Sequence, residues 1–241
     1  QNYSLEEFKY VKNLSLGDHD QIVNLEKKIK KLGENKIPLR FQILNGPLTD
    51  ETKHYILEKI DNFYAMDEEN NEYHKLNNWV KHIEKIPFNS YTPSDFGPDQ
   101  ANEKLVYCKK CLDESVYGHE ESKLEILRIC AKNITSPSGL GNVIGIQGPM
   151  GNGKTTLIKN GLAKALGKKF YFVGLGGATD SSFLAGHSYT WEGSDCGIIV
   201  KALQNAGKMD LIIYFDELDK VSQTERGAEI YNILCHITDS S

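Results

Sequence analysis

Residues 148–155, "GPMGNGKT", constrain this chain more than any other stretch. They follow a short apolar run, "VIGIQ" at 143–147, and open an amphipathic segment, "TTLIKNGLAKAL" at 155–166. The order strand, glycine-rich loop, helix is the setting in which G-x-x-x-x-G-K-[ST] binds phosphate. Gly148, Gly151 and Gly153 let the backbone turn tightly and aim its N–H groups at phosphate oxygens. The helix beginning near Gly153 adds its positive end. Lys154 brings an ammonium to the β and γ phosphates, and the Thr155 hydroxyl suits Mg²⁺. Pro149, Met150, Asn152 and Thr156 complete the expected ATP cradle.

Two further apolar runs, "KFYFVGL" at 169–175 and "LIIYFD" at 211–216, alternate with helical stretches. That alternation predicts an α/β fold with a mainly parallel sheet. The third run ends in Asp216, which brings a carboxylate to the sheet edge where it can hold the Mg²⁺ shell. Glu217 follows, placed to orient or deprotonate an attacking water. Asp219 and Lys220 read as a surface pair or turn.

The first 110 or so residues read as helices. Ile22, Leu25, Ile29 and Leu32 form one stripe, with Gly33 and Pro38 interrupting the helix. "PLRFQILNGPL" reads as extended or turned. Thr49 caps a helix with the stripe Ile56, Ile60, Phe63 and Tyr64, and Tyr73, Leu76, Val80 and Ile83 mark another. After a loop over 89–98 come stripes of Ala101, Leu105, Cys108 and Leu112, then Leu124, Leu127, Ala131 and Ile134. The expected organisation is an amphipathic helical segment over 1–37, an all-α domain over 38–111 and the α/β ATPase part over 112–241.

The net charge of −5 gives no footprint for nonspecific binding to nucleic acid or an anionic membrane. Five irregularly spaced cysteines argue against a secreted disulfide framework, so an intracellular, cytoplasmic setting is expected. "CKKC" at 108–111 lacks a second ligand pair nearby, and Cys108 lies on an apolar stripe, so packing is favoured over zinc. No apolar run reaches the roughly 18 residues that a membrane span requires.

These residues resemble the ATPase part of Lon-type proteases of the AAA+ superfamily. The resemblance runs through "LDESVYGHEESKLEIL", "GPMGNGKTTL", "ALGKKFYFVGLGGATDSSFLAGH", "YTWEG" and "YFDELDKV", and more loosely through "NLEKKIKKLG" and "NEYHKLNNWVKHIEKIPF". The Gly-Gly, Asp180 and Gly186-His187 pattern is Lon-like, whereas the two ATP motifs occur in many NTPases. The resemblance implies a P-loop AAA+ sheet, ATP and Mg²⁺ as cofactors, a homo-hexameric ring, and unfolded or damaged proteins as substrates. Tyr117 and Gly118 match a Tyr-Gly that borders adenine, and Val116 stands where His is frequent. Trp191 matches an aromatic that grips substrate in the ring pore; packing against the helical domain is its other reading. Glu192 departs from the aliphatic residue usual beside it.

In this family a further strand between the phosphate-loop and Asp-Glu strands comes later in sequence. That strand, the arginine finger, the helical lid and a Ser–Lys peptidase are expected beyond Ser241. A remodelling ATPase without a peptidase is the alternative, and a nucleic-acid motor or clamp loader is disfavoured by charge and by the 176–193 cassette. Lysine and asparagine bias suits an AT-rich source such as a large DNA virus.

Overall fold

Two parallel strands, β1 (Phe170–Gly174) and β2 (Ile212–Asp216), run in register from Phe170 opposite Ile212 to Gly174 opposite Asp216. The computed structural model describes residues 4–34, 37–70, 72–92, 100–135, 143–178, 181–188, 194–222 and 224–239. The strands' period of two divides their side chains between two cores. Phe170, Ile212 and Tyr214 pack against a cluster that includes Cys108, Leu112, Ile126, Cys130 and Leu162. Tyr171, Val173, Ile213 and Phe215 belong to the other, with Leu175, Leu184, Val221 and Ile230.

The chain groups into two compact units, residues 1–44 and 45–241. The first holds α1 (Leu5–Lys12), α2 (Leu16–Glu34) and α3 (Leu39–Leu44). A capping box starts α1: Ser4 Oγ accepts from the Glu7 N–H, and the Glu7 carboxylate accepts from the Ser4 N–H. Two expectations are corrected here. The helix runs through Gly33 to Glu34, and "LRFQIL" is helical rather than extended. Pro38 suits a helix start because its fixed φ fits the first turn, and its carbonyl accepts from the Phe41 and Gln42 N–H groups. Leu25 of the expected stripe is exposed.

In the second unit, α4 (Asp50–Tyr64) is capped by Thr49, whose Oγ1 accepts from the Thr52 N–H at 3.3 Å. Ile56 and Ile60 of α4 are buried, as are Leu76 and Val80 of α5 (Tyr73–Glu84). Phe63 stacks on Tyr73, while Tyr64 is exposed. The chain after α5 ties into the α/β part: Thr92 donates through both N–H and Oγ1 to Asp210, at 2.8 and 3.1 Å.

Helices α6 (Ala101–Ser115) and α7 (Glu120–Thr135) cover one sheet face. Cys108 and Cys111 are fully buried there beside Leu112, as small hydrophobes. The α7 stripe is rotated from the expected one: Ile126 and Cys130 are buried, while Leu124 is exposed. Lys123 lies on the buried face of α7, its ammonium reaching Asp113 at 3.2 Å and Glu120 at 3.7 Å. Its aliphatic stem occupies core space that hydropathy would assign elsewhere.

The phosphate-loop helix has three consecutive parts: α8 (Lys154–Thr156), a π-helical stretch (Leu157–Ala163) and α9 (Lys164–Leu166). Gly161 allows α6 to approach, since a Cβ there would lie 2.9 Å from Ser115 Oγ and 3.0 Å from Leu112 Cδ2. On the opposite face sit α10 (Ser182–Ala185), α11 (Ile198–Ala206) and α12 (Glu225–Thr238).

The run "VIGIQ" is corrected: it forms no strand. Ile144 and Ile146 turn toward the core while Val143, Gly145 and Gln147 are exposed, so the alternation is real. What it lacks is a ladder partner among the described residues, and a strand exists only as half of a pair. No helix among the described residues is long and apolar enough to cross a membrane.

Candidate nucleotide site

The glycines of "GPMGNGKT" adopt backbone angles that other residues resist. Gly151 and Gly153 have φ of +73° and +78°, in the left-handed region. Gly153 caps the phosphate-loop helix, and its carbonyl accepts from the Leu157 N–H at 2.8 Å. It also carries a packing constraint: a Cβ would stand 3.0 Å from Val116 Cγ1. Val116, which ends α6, therefore joins the expected adenine border to the phosphate loop. Its neighbour Tyr117 is fully exposed, and Gly118 turns the chain with φ of +71°.

Lys154 Nζ donates to the carbonyls of Gly148 and Pro149, both at 2.8 Å. The ammonium is thus folded into the loop that its own helix starts, with the helix N-terminus alongside. Met150 is exposed. Asn152 and Thr156 flank the same turn. Thr155 Oγ1 donates to the Tyr214 hydroxyl at 3.4 Å, linking the loop to β2 two residues before Asp216.

The strand β2 delivers Asp216 at its C-terminal end, where the Asp216 carbonyl accepts from the Leu175 N–H and its carboxylate from the Glu217 N–H. Glu217 has φ of +58°, uncommon for a residue with a side chain. Its carboxylate lies directly over Gly176, where a Cβ would fall 2.1 Å from Glu217 Oε2. That contact gives the first glycine of the Gly-Gly pair a reason: any side chain would evict the Glu217 carboxylate. Asp219 and Lys220 lie exposed in a helical turn over Leu218–Lys220, the turn being one of the two sequence readings, and Lys220 pairs with Glu217. The Glu217 carboxylate holds the Lys220 ammonium above its ordinary range.

The residues present fit a nucleoside triphosphate with its Mg²⁺. The loop offers glycine backbone in left-handed turns and one ammonium, and Thr155 and Asp216 offer the hard oxygen donors such a cation takes. Sequence reasoning missed Tyr214, although residues two apart on a strand share a face and so place it with Asp216. It also missed the Gly176–Glu217 contact, which no spacing rule announces.

The cassette between the two motifs is closed at its base. Gly186 pairs with Cys196 in an antiparallel bridge, and the His187 N–H donates to the Asp195 carbonyl at 3.2 Å. Gly186 and Gly197 meet backbone to backbone: a Cβ on Gly186 would lie 2.5 Å from Gly197 N. Asp180, Trp191 and Glu192 lie outside the described residues.

Residues 144–241 match the AAA family, the ATPases associated with various cellular activities. Over 225 residues the chain is 38% identical to a Lon protease homolog of Acanthamoeba polyphaga mimivirus, covering 88% of this chain and 21% of that protein. It is 29% identical over 210 residues to the Lon protease of Syntrophus aciditrophicus, covering 86% of the chain and 26% of the relative. The match to Lon protease 1 of Bacillus subtilis is 28% over 229 residues, 93% of the chain and 27% of the relative. The chain thus spans between 21% and 27% of the length of these relatives. With the glycine-rich loop and the Asp216-Glu217 edge in place, residues 144–241 are similar to the AAA ATPases, and the chain as a whole is similar to Lon proteases.

Proposed function

We propose that this chain binds and hydrolyses ATP with Mg²⁺ as the motor of a Lon-like ATP-dependent serine protease, working in a homo-hexameric ring that unfolds proteins and threads them to a peptidase. The observation that carries the catalytic half is the Glu217 carboxylate lying over Gly176 beside the end of β2. In this reading Lys154 and the 148–156 backbone bind the phosphates, Val116 to Gly118 border the adenine, and Thr155 and Asp216 would hold Mg²⁺, which when bound would supply charge neutralisation at the phosphoryl group. Glu217 orients the water and takes its proton. The relatives' names carry the protease half, and the acidic net charge speaks against a nucleic-acid motor. The helices ahead of α6 serve as a helical part preceding the ATPase fold in this proposal.

Trp191 supplies a broad apolar surface to substrate side chains of any sequence. Glu192 beside it disfavours acidic stretches of substrate.

Both halves are testable in the full-length protein. Glu217→Gln is expected to retain nucleotide binding and lower ATP turnover by roughly 10²–10⁴-fold, the usual contribution of a positioned base. Turnover within a factor of a few of the parent removes Glu217 from the mechanism. Trp191→Ala is expected to slow degradation of a folded protein more than it slows ATP turnover; an equal effect on both returns Trp191 to a packing role.

A further inference from the structure

A histidine, an aspartate and a cysteine meet where α5 touches the base of the 187–195 segment. His82 stands in the last turn of α5, and its partner Cys196 is 114 residues away in sequence. We infer that His82, Asp195 and Cys196 form a binding site for one divalent cation of the zinc class.

The geometry carries this. His82 Nδ1 lies 3.3 Å from Cys196 Sγ, and His82 Nε2 lies 3.5 Å from Asp195 Oδ1. Taking one ligand atom from each residue, all three fall within 4.8 Å of one another. In a tetrahedral site with metal–nitrogen and metal–oxygen distances near 2.0–2.2 Å and metal–sulfur near 2.3 Å, ligand atoms stand about 3.3–3.6 Å apart. The Nδ1–Sγ separation already has that value; Asp195 is met by the other ring nitrogen, so a turn of the imidazole is needed to bring one nitrogen toward both ligands. The donor set selects the metal: a thiolate with an imidazole suits zinc or cobalt and does not suit Mg²⁺ or Ca²⁺.

The ligands are held from behind. Cys196 is fixed by its bridge to Gly186, and Gly197 sits so close to α10 that a Cβ would lie 1.9 Å from the Leu184 carbonyl oxygen. The His82 carbonyl accepts from Gln204 Nε2 at 2.8 Å, and Asn78 Nδ2 donates to the Ser194 carbonyl at 3.2 Å. Lys201, outside the ligand set, pairs with Asp195 Oδ2, and the backbone N–H of Cys196 donates to Asp195 Oδ1 at 2.8 Å, so the carboxylate is oriented at both oxygens. A cavity of about 360 Å³, lined by Asp195, Cys196, His187 and Lys201 among others, opens beside the cluster. It leaves the fourth position to water or to an incoming ligand. The ion ties α5 to the segment containing Trp191; that consequence rests on the reading of Trp191 above, whereas the site does not.

Cobalt(II) added to the metal-free full-length protein tests the inference. One equivalent is expected to give a thiolate-to-cobalt charge-transfer band and the intense visible bands of tetrahedral cobalt, both removed by one equivalent of zinc. Cys196→Ser and His82→Gln should each lose the bands. Absence of the bands in the parent, or a band of undiminished intensity in Cys196→Ser, overturns the site. Should either variant fail to fold, iodoacetamide mapping of the parent decides: zinc should protect Cys196 and leave the exposed Cys235 labelled. Equal labelling of Cys196 with and without zinc also overturns it. Neither readout involves nucleotide, so failure here and failure of the ATPase reading are separable.

Discussion

The two faces of the β1–β2 pair are built on the same alternation yet hold their working ends in different ways. On the α6–α7 face, a core of Cys108, Cys111, Leu112, Ile126 and Cys130 presses on the phosphate-loop helix, and the loop's conformation follows from glycines and a lysine contiguous in sequence. On the α10–α12 face, Leu175, Leu184, Val221 and Ile230 support a cassette whose base is closed by glycine backbones from positions 186 and 197. The first face specifies chemistry by a local motif. The second specifies position by close approach of distant backbone, so its consequences are spread along the chain. Glu217 joins the two, since it follows the β2 carboxylate and rests on Gly176 of the cassette.

The largest expected effects separate these faces. Leu112 is about as deeply buried as Ile230, and either replaced by Ala is expected to cost about 2–5 kcal/mol, as truncation of a buried aliphatic side chain does. Denaturant unfolding measures that loss. The comparison sharpens when affinity for a non-hydrolysable ATP analogue is measured below the unfolding transition. Leu112→Ala should weaken it, because Leu112 packs on the phosphate-loop helix near Gly161. Ile230→Ala should leave it nearly unchanged. Equal weakening by both would mean that the faces act as one support.

What could be read in advance follows the same division. The turns of "GPMGNGKT" were legible in its glycines, two of which take left-handed φ, and the helix stripes of α4 and α5 were legible because burial of Ile56, Ile60, Leu76 and Val80 follows the 3.6-residue period. "VIGIQ" misled because propensity and alternation describe one strand, while a ladder needs another. The rotated stripe of α7 was hidden because hydropathy treats Lys123 as a surface residue, although its stem is buried and its charge is paired. The triplet of His82, Asp195 and Cys196 had no sequence signal at all, because its members are brought together only when α5 docks.

The smallest expected effect tests how the first face is fastened at its rim. Lys164 in α9 reaches Glu114 in α6 at 3.3 Å, a cross-helix pair. The hydrogen bond to Glu114 and the charge behind it raise the Lys164 ammonium above its ordinary value of 10.5. The folded chain therefore binds this proton more tightly than the unfolded chain does. The stability from that difference is fully present below pH 10.5 and is lost as pH rises through the higher folded value. Both side chains are half exposed, so the effect should be small and should shrink with added salt. Glu114→Gln is expected to lower the thermal midpoint slightly, by a constant amount from neutral pH to about 10, with the gap closing above that. A gap that stays constant through the lysine range would assign the loss to packing of the Glu114 stem, and the rim would then be fastened in the same apolar way as the core beneath it.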